Sequence, residues 1–452
     1  MFKPPAISRN PAHAGGLVKQ RKIGWLEGFA VGVGLLFPFM DIFLSRYTFQ
    51  LFPGPLGYGP FLCFYALLPI FFIRHRFPVR AALAVLVVGT VGATGWASGV
   101  ISGGDYFKVF GSLLLPYVYY GYLWQHVDLD VRRAFRIYLI GAKWVAGLGL
   151  FIFADYILGF GLKGIFSSLL SVQYTSAVWG IRVTSTLGEP TYFANVIAPA
   201  GLFALYRLFF ASTAMKEHLR AAGLLLSRRS AWVILAALVL TYSTMAFLGL
   251  LFAVAFVLVF QGQIRAALFL PLAVYGFYLV TQQIPEVNQR IQGILNADQL
   301  SEENIHGSSA ILYNHAVVTW ENFQRHPFVG SGLGTHAHAT EQFSILKGTS
   351  SAALSEQNAQ DASSMFLRIA SELGLFGILL VVYFLFTYYF RVSPQTFTPD
   401  QLIFKLVSVA CLITILLQLI RQGNFILNGF PFFVYGYIYA HRQFRISQQA
   451  VG

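Results

Sequence analysis

The sequence predicts an all-α fold, a polytopic membrane bundle of about 12 transmembrane helices with a large helical loop on one side. Three observations carry that expectation. Only 11% of the 452 residues are charged, against about a quarter in soluble domains. Hydrophobic residues make up 56%, including 44 phenylalanines, and the mean hydropathy is +0.62. Apolar runs of roughly 16–22 residues recur along the chain, each close to what one helix needs to cross a bilayer.

Taken in order, residues 1–22 ("MFKPPAISRNPAHAGGLVKQRK") are basic and broken by Pro and Gly, with no apolar core before a cleavage site. They read as a disordered cytosolic tail ahead of a membrane domain at 23–452. Spans are expected near 23–44, 59–73, 81–100, 106–124, 137–158, 194–211, 230–243, 245–260, 266–281, 373–390, 402–420 and 424–440. Around Tyr242-Ser243-Thr244, ~30 apolar residues fit either one long helix or two short ones meeting at a polar apex. The cations decide for two. With twelve spans, both termini and the loops "RHRFPVR", "DVRRAFR", "SRRS" and "HRQFR" fall on one side. That side then holds roughly 19 of the 31 Lys and Arg, against about 8 on the other and about 4 within spans. A single helix at 230–260 would invert everything after it. This positive-inside bias accounts for the net charge of +13 without invoking nucleic acid. Cys63 and Cys411 both sit in apolar runs and imply no disulfide framework.

Two segments then face the far side, residues 159–193 and the loop 282–372, which exceeds any ordinary connection. Within that loop, "SSAILYNHAVVTWENFQ" has helical apolar spacing, His326-Pro327 stops the helix, and "VGSGLG" makes a turn. "DASSMFLRIASEL" places Asp361, Arg368 and Glu372 on one helical face, either an ion-paired stripe or one wall of a polar cavity. In "GIRVTSTLGEPTYFAN", Arg182 offers a fixed, always-charged fork to phosphate oxygens. Glu189 stands before Pro190 at a helix start. The alternative there is a snorkelling arginine and a polar cap. The glycines of "GSGLGTHAHATE" lack the Lys-Ser/Thr of a phosphate loop, and an isolated His-x-His is weak as a metal site, so no metal is expected. The aromatic run 116–124 fits a membrane-interface belt better than a sugar-stacking surface. Asp41 and Asp155, near far-side span ends, are weaker candidates than Arg182.

Four stretches, in order, carry a resemblance: "RVTSTLGEPTYFA", the apex "TYSTMAFLGLL", "HPFVGSGLG" and "FLRIASELGLFGILL". Over residues ~180–380 the chain resembles the family of O-antigen ligases and Wzy-type O-antigen and exopolysaccharide polymerases. It departs from the ligases in reading Glu189-Pro190-Thr191 where they have Asn-Pro-Asn, Thr244 where they carry an arginine, and "DASSMF" where they have a histidine. The Glu-Pro form is more similar to the polymerases.

The resemblance implies a metal-independent glycosyltransferase without cofactor in a bacterial inner membrane, both termini cytoplasmic. Its substrate would be an undecaprenyl-diphosphate-linked oligosaccharide, the growing chain passing to the next lipid-linked repeat unit. Its surroundings would be membrane lipid, with a flippase and a chain-length regulator as partner proteins. A sugar hydroxyl attacks the anomeric carbon, so cations must steady the departing diphosphate and a base must take the hydroxyl proton. Arg182 and Glu189 are the catalytic candidates; Arg290, Arg325, His336, His338, Asp361, Arg368, Glu372 and Arg421 are the substrate-binding ones, His336 or His338 being an alternative base. Ligation to a lipid A core differs only in the acceptor. A transporter of lipid-linked sugars is the rival from another class, but it would show two similar halves.

Overall fold

The computed structural model describes residues 25–51, 68–69, 78–125, 130–170, 174, 176–177, 180–260, 307–347, 352–389 and 398–449, with isolated positions between 275 and 292. Its first helices are α1 (Trp25–Leu51), α2 (Val79–Gly92), α3 (Thr94–Ala97), α4 (Gly103–Gln125), α5 (Val131–Leu158) and α6 (Lys163–Leu170). Next come α7 (Pro190–Leu205, running into a π turn at Tyr206–Phe210), α8 (Thr213–Ala221), α9 (Arg228–Val239) and α10 (Thr244–Phe260). The last are α11 (Gly307–Arg325), α12 (His336–Phe343), α13 (Ala352–Ser355), α14 (Met365–Thr387), α15 (Pro399–Arg421) and α16 (Phe430–Gln449). A two-residue antiparallel ladder, Ser176–Ala177 with Gly180–Ile181, precedes α7. Among the described residues α5, α7 with its π turn, α14 and α15 are each long and apolar enough to cross a membrane, and α1, α2–α3 and α10 hold shorter apolar stretches. The chain is a membrane protein. Most of the expected span at 266–281 and nearly all of that at 59–73 lie outside the described residues.

The apex is a break between two helices, α9 ending at Val239 and α10 starting at Thr244. The loop helix expected at 308–324 is α11, and it stops before His326-Pro327. One expectation fails. Asp361 is not on the helix that carries Arg368 and Glu372, because Ser364 caps α14 by accepting from the Leu367 amide, and Ala362 and Ser363 turn the chain with φ of 56° and 55°. A second is corrected as well: the aromatic run is neither belt nor sugar platform. Tyr119 and Tyr120 are fully buried, their hydroxyls donating to the Ala30 and Gly34 carbonyls of α1.

Side chains repair the broken helices. Pro199 has no N–H for the Asn195 carbonyl, which accepts from the Thr414 hydroxyl of α15 instead. Tyr138 of α5 inserts its hydroxyl one residue on, donating to the Val196 carbonyl and accepting from the Ala200 amide. Three candidate spans are thus tied at one level. In α14 the repair is made by backbone. Gly374 takes φ 57°, ψ −148°, and the 327–332 turn enters the gap. Leu375 and Phe376 donate to the Pro327 and Phe328 carbonyls, while Ser331 and Gly332 donate to the Ser371 and Glu372 carbonyls. Two amides and two carbonyls of α14 beside this break thus find their partners in "HPFVGSG". A β-carbon at Gly374 would collide with that turn.

Candidate functional site

Arg182, Glu189, Asp361 and Arg421 converge at the end of the bundle where α7 starts, α15 ends and α9 meets α10. Arg182 is buried there. Its Nε donates to the Thr241 carbonyl at 2.9 Å and its Nη2 to that of Tyr242 at 3.3 Å, while the next amide, Val183, donates to the Leu240 carbonyl. The guanidinium therefore clips the segment before α7 onto the apex. Glu189 is the residue before the first turn of α7, and its side chain makes no cap hydrogen bond. Burial raises its pKa above the usual carboxylate range; Arg421 and Arg182 pull it back, and Asp361 pushes it up. Two cations and a second carboxylate thus act on this one carboxyl.

Arg421 closes α15. Its Nη2 donates to the Ser308 hydroxyl at 2.8 Å and carbonyl at 3.3 Å, and its Nη1 is buried with no hydrogen-bond partner among the described residues. Asp361, Glu189 and Tyr192 act on it electrostatically. The hydroxyls of Thr184, Ser185 and Thr244 are also buried and unpartnered among the described residues. They flank Arg182 and the apex and are free to meet a polar ligand. The backbone is strained at the same place: Ser185, Tyr242, Ala362 and Ser363 have φ of 53°, 45°, 56° and 55°. Such conformations cost about 1–3 kcal/mol each and concentrate where function requires them.

Arg368 and Glu372 form a buried pair behind this cluster, Nε to Oε1 at 3.1 Å. Arg368 also donates to the Gly423 carbonyl and lies over the Phe425 ring at 4.5 Å. Between the pair and the cluster runs a chain of neutral hydrogen-bonding groups. The Gln357 carbonyl can only accept, so His315 carries its proton on Nε2 (2.9 Å) and accepts at Nδ1 from His336 Nε2 (3.1 Å). His336 Nδ1 then accepts from the Ser371 hydroxyl at 3.0 Å, which in turn accepts from the Asn322 amide at 2.8 Å. One tautomer pattern satisfies all four links. Burial lowers the pKa of both imidazoles. The Asp361 carboxylate opposes this at His315 and Arg421 adds to it; at His336 both His315 and Arg368 add to it.

The structure thus brings together Arg182, Glu189, Asp361 and Arg421, and joins them through His315 to His336, Arg368 and Glu372. It does not bring Arg325 or His338 to them. Arg325 is exposed and stacks on Phe343 at 4.3 Å; His338 is half-buried beside Gln342 and Glu341. His336 is fully buried and reaches other side chains rather than solvent. Arg290 and the Asp41 side chain lie outside the described residues. Asp155 accepts from the Leu162 amide and so caps the turn after α5. Sequence reasoning missed His315 and Ser371. The signal available for His315 was its helical spacing from Ile311, Val318 and Asn322, which puts a titratable ring on the face that α11 buries.

No curated protein matches the chain. Residues 230–382, from the first turn of α9 into α14, match the family model described as O-antigen ligase, the family that the chain's motifs resemble.

Proposed function

We propose that the cluster around Glu189 is the glycosyl-transfer centre of a polysaccharide polymerase in a bacterial inner membrane. An undecaprenyl-diphosphate-linked glycan would be passed there to the hydroxyl of the next lipid-linked repeat unit. The observation that carries this reading is the convergence of Arg182 and Arg421 on Glu189 and Asp361, at the ends of two candidate spans. The roles divide by what each side chain already holds. Arg182 has two donors bound to apex carbonyls, so it shapes the cavity and supplies charge. Arg421 keeps Nη1 for the diphosphate, whose charge grows as the glycosidic bond breaks. Glu189, its pKa raised towards working pH, takes the proton of the attacking hydroxyl. The unpartnered hydroxyls of Thr184, Ser185 and Thr244 suit a sugar or diphosphate oxygen. The bond from anomeric carbon to phosphate oxygen breaks, that to the acceptor oxygen forms, and lipid diphosphate leaves.

The family description favours a second reading, transfer to a lipid A core, which uses the same donor and the same chemistry. One incubation separates the two. Purified protein given lipid-linked repeat units alone yields a ladder on a gel if it polymerises. A single shifted band that requires lipid A core marks ligation. No new product from either acceptor leaves a transporter of lipid-linked sugars and overturns the glycosyltransferase reading.

A further inference from the structure

The opposite end of the bundle holds a pocket that the reaction does not use. It has a volume of about 370 Å³ and lies among the first turns of α5 and α15 and the last turn of α8. Its polar lining is Arg132, Arg133, Arg136, His218, Asp130 and Asp400. Two of the guanidiniums are held in place before any ligand arrives. Arg132 chelates Asp130, which caps α5, and reaches Asp400 at 3.1 Å. Arg136 donates to the Ala222 carbonyl at 2.8 Å and lies flat against Gly223, whose φ of 71° and missing β-carbon make the room. Arg133 is exposed and lines the same pocket.

We infer that this pocket binds the phosphodiester headgroup of an anionic glycerophospholipid. Three arguments converge. Planar guanidinium forks match phosphate oxygens, and two forks fixed by backbone and carboxylate lose little freedom on binding. Among the arginines and aspartates of the lining, three cations against two anions leave one net positive charge, which a phosphodiester's single negative charge neutralises. The depth is right as well. α5 and α15 are both candidate spans, and the pocket sits at the turn where each begins, the level of lipid headgroups. Beside it, the short helix α8 buries Met215 and Leu219 and exposes Arg220, as a helix lying in the interface does. A soluble phosphate compound would find the same forks but would gain nothing from that depth.

The test uses the full chain in nanodiscs of phosphatidylcholine containing one-fifth phosphatidylglycerol, with retained lipid counted by native mass spectrometry after detergent extraction. The wild type should retain phosphatidylglycerol over phosphatidylcholine. The Arg133→Ala, Arg136→Ala double variant should lose that preference at least fivefold while unfolding in pure phosphatidylcholine at the wild-type temperature. A matched control, Arg228→Ala with Arg229→Ala, removes two charges from the start of α9 outside the pocket and should keep the preference. Equal loss in both double variants would mean general surface charge and would overturn the inference. So would wild-type protein with no preference, or full displacement by glycerophosphoglycerol, the same headgroup without its acyl chains. If the double variant unfolds early, Arg133→Ala alone should still weaken retention, and unchanged retention there counts against the pocket.

Discussion

Two ion pairs of the same length mark the two ends of this bundle. Arg368–Glu372 and Arg132–Asp400 both measure 3.1 Å, yet the first pair is 8% and 0% exposed and the second 35% and 60%. Water screens the second and makes it nearly dispensable. The first is closed off, and breaking it strands a charge. The two ends differ in the same way throughout. At the basic end the arginines are paired locally and open to solvent. At the other end cations, carboxylates and two imidazoles are buried together beside strained backbone. Buried charge is expensive and rarely the most stable solution, so its concentration at one end supports the proposal that the chemistry takes place there.

That contrast is easiest to break at the buried pair. Arg368→Ala should destabilise the protein by about 3–5 kcal/mol, since Glu372 is left buried and unpaired. Adding Glu372→Ala should recover most of this, as read by thermal unfolding. If the double variant folds normally and makes polymer, the pair is scaffold.

Next in size is Arg421→Lys. A point charge cannot reproduce the fork that holds Ser308 and still presents Nη1. Transition-state stabilisation should fall by about 2.7–4 kcal/mol, on the order of a hundred- to a thousandfold in polymer formation. Arg229→Ala, on an exposed turn at the basic end, should leave the rate within about twofold. Equal effects at both ends would erase the comparison.

The histidine chain should respond to acid. Its folded-state pKa values lie below the ordinary 6.5, so between those values and about 6.5 the unfolded chain binds more protons. Stability should therefore hold above that pH and decline as pH falls below it. Protonating His315 at Nδ1 sets two N–H groups face to face across 3.1 Å, and protonating His336 at Nδ1 forces the Ser371 hydroxyl out of its donor role. His315→Ala, which leaves the His336 Nε2 proton buried without an acceptor, should cost about 1–3 kcal/mol at pH 7.5 and flatten the acid decline. An unchanged decline would place the titrating group elsewhere. The smallest effect belongs to Asp400→Asn, about 0.2–1 kcal/mol by thermal unfolding; a larger one would mean the basic end is more closed than its exposure shows.

How much of this was legible beforehand depended on whether the signal was local. The apex break, the stop of α11 at His326-Pro327 and the placing of Arg182 and Glu189 near a helix start all follow from periodicity, proline and charge. Asp361 was misplaced because Ala362 and Ser363 take left-handed conformations that no glycine announces, and Ser364 rather than an earlier residue caps α14. His315 and His336 are 21 residues apart and Ser371 comes from a third helix, so only packing reveals the chain. The insertion of "HPFVGSG" into α14 was equally hidden, although the glycines on both sides of it were in plain view. Composition gave the tyrosine run the wrong setting, since burial against α1 depends on which helices become neighbours.

In the proposed reaction the carboxyl of Glu189 acts in glycosyl transfer, and one substitution addresses it directly. Glu189→Gln keeps the size of the side chain and the start of α7 but removes proton-accepting ability. With purified lipid-linked repeat units and wild-type protein, the initial rate of ladder formation should be measurable, with an acid limb above the ordinary carboxylate range. Glu189→Gln should bind the substrate and unfold as the wild type does, yet form ladder at least a hundredfold more slowly. A wild-type ladder from Glu189→Gln would contradict the account, whatever the other charges at that end turn out to do.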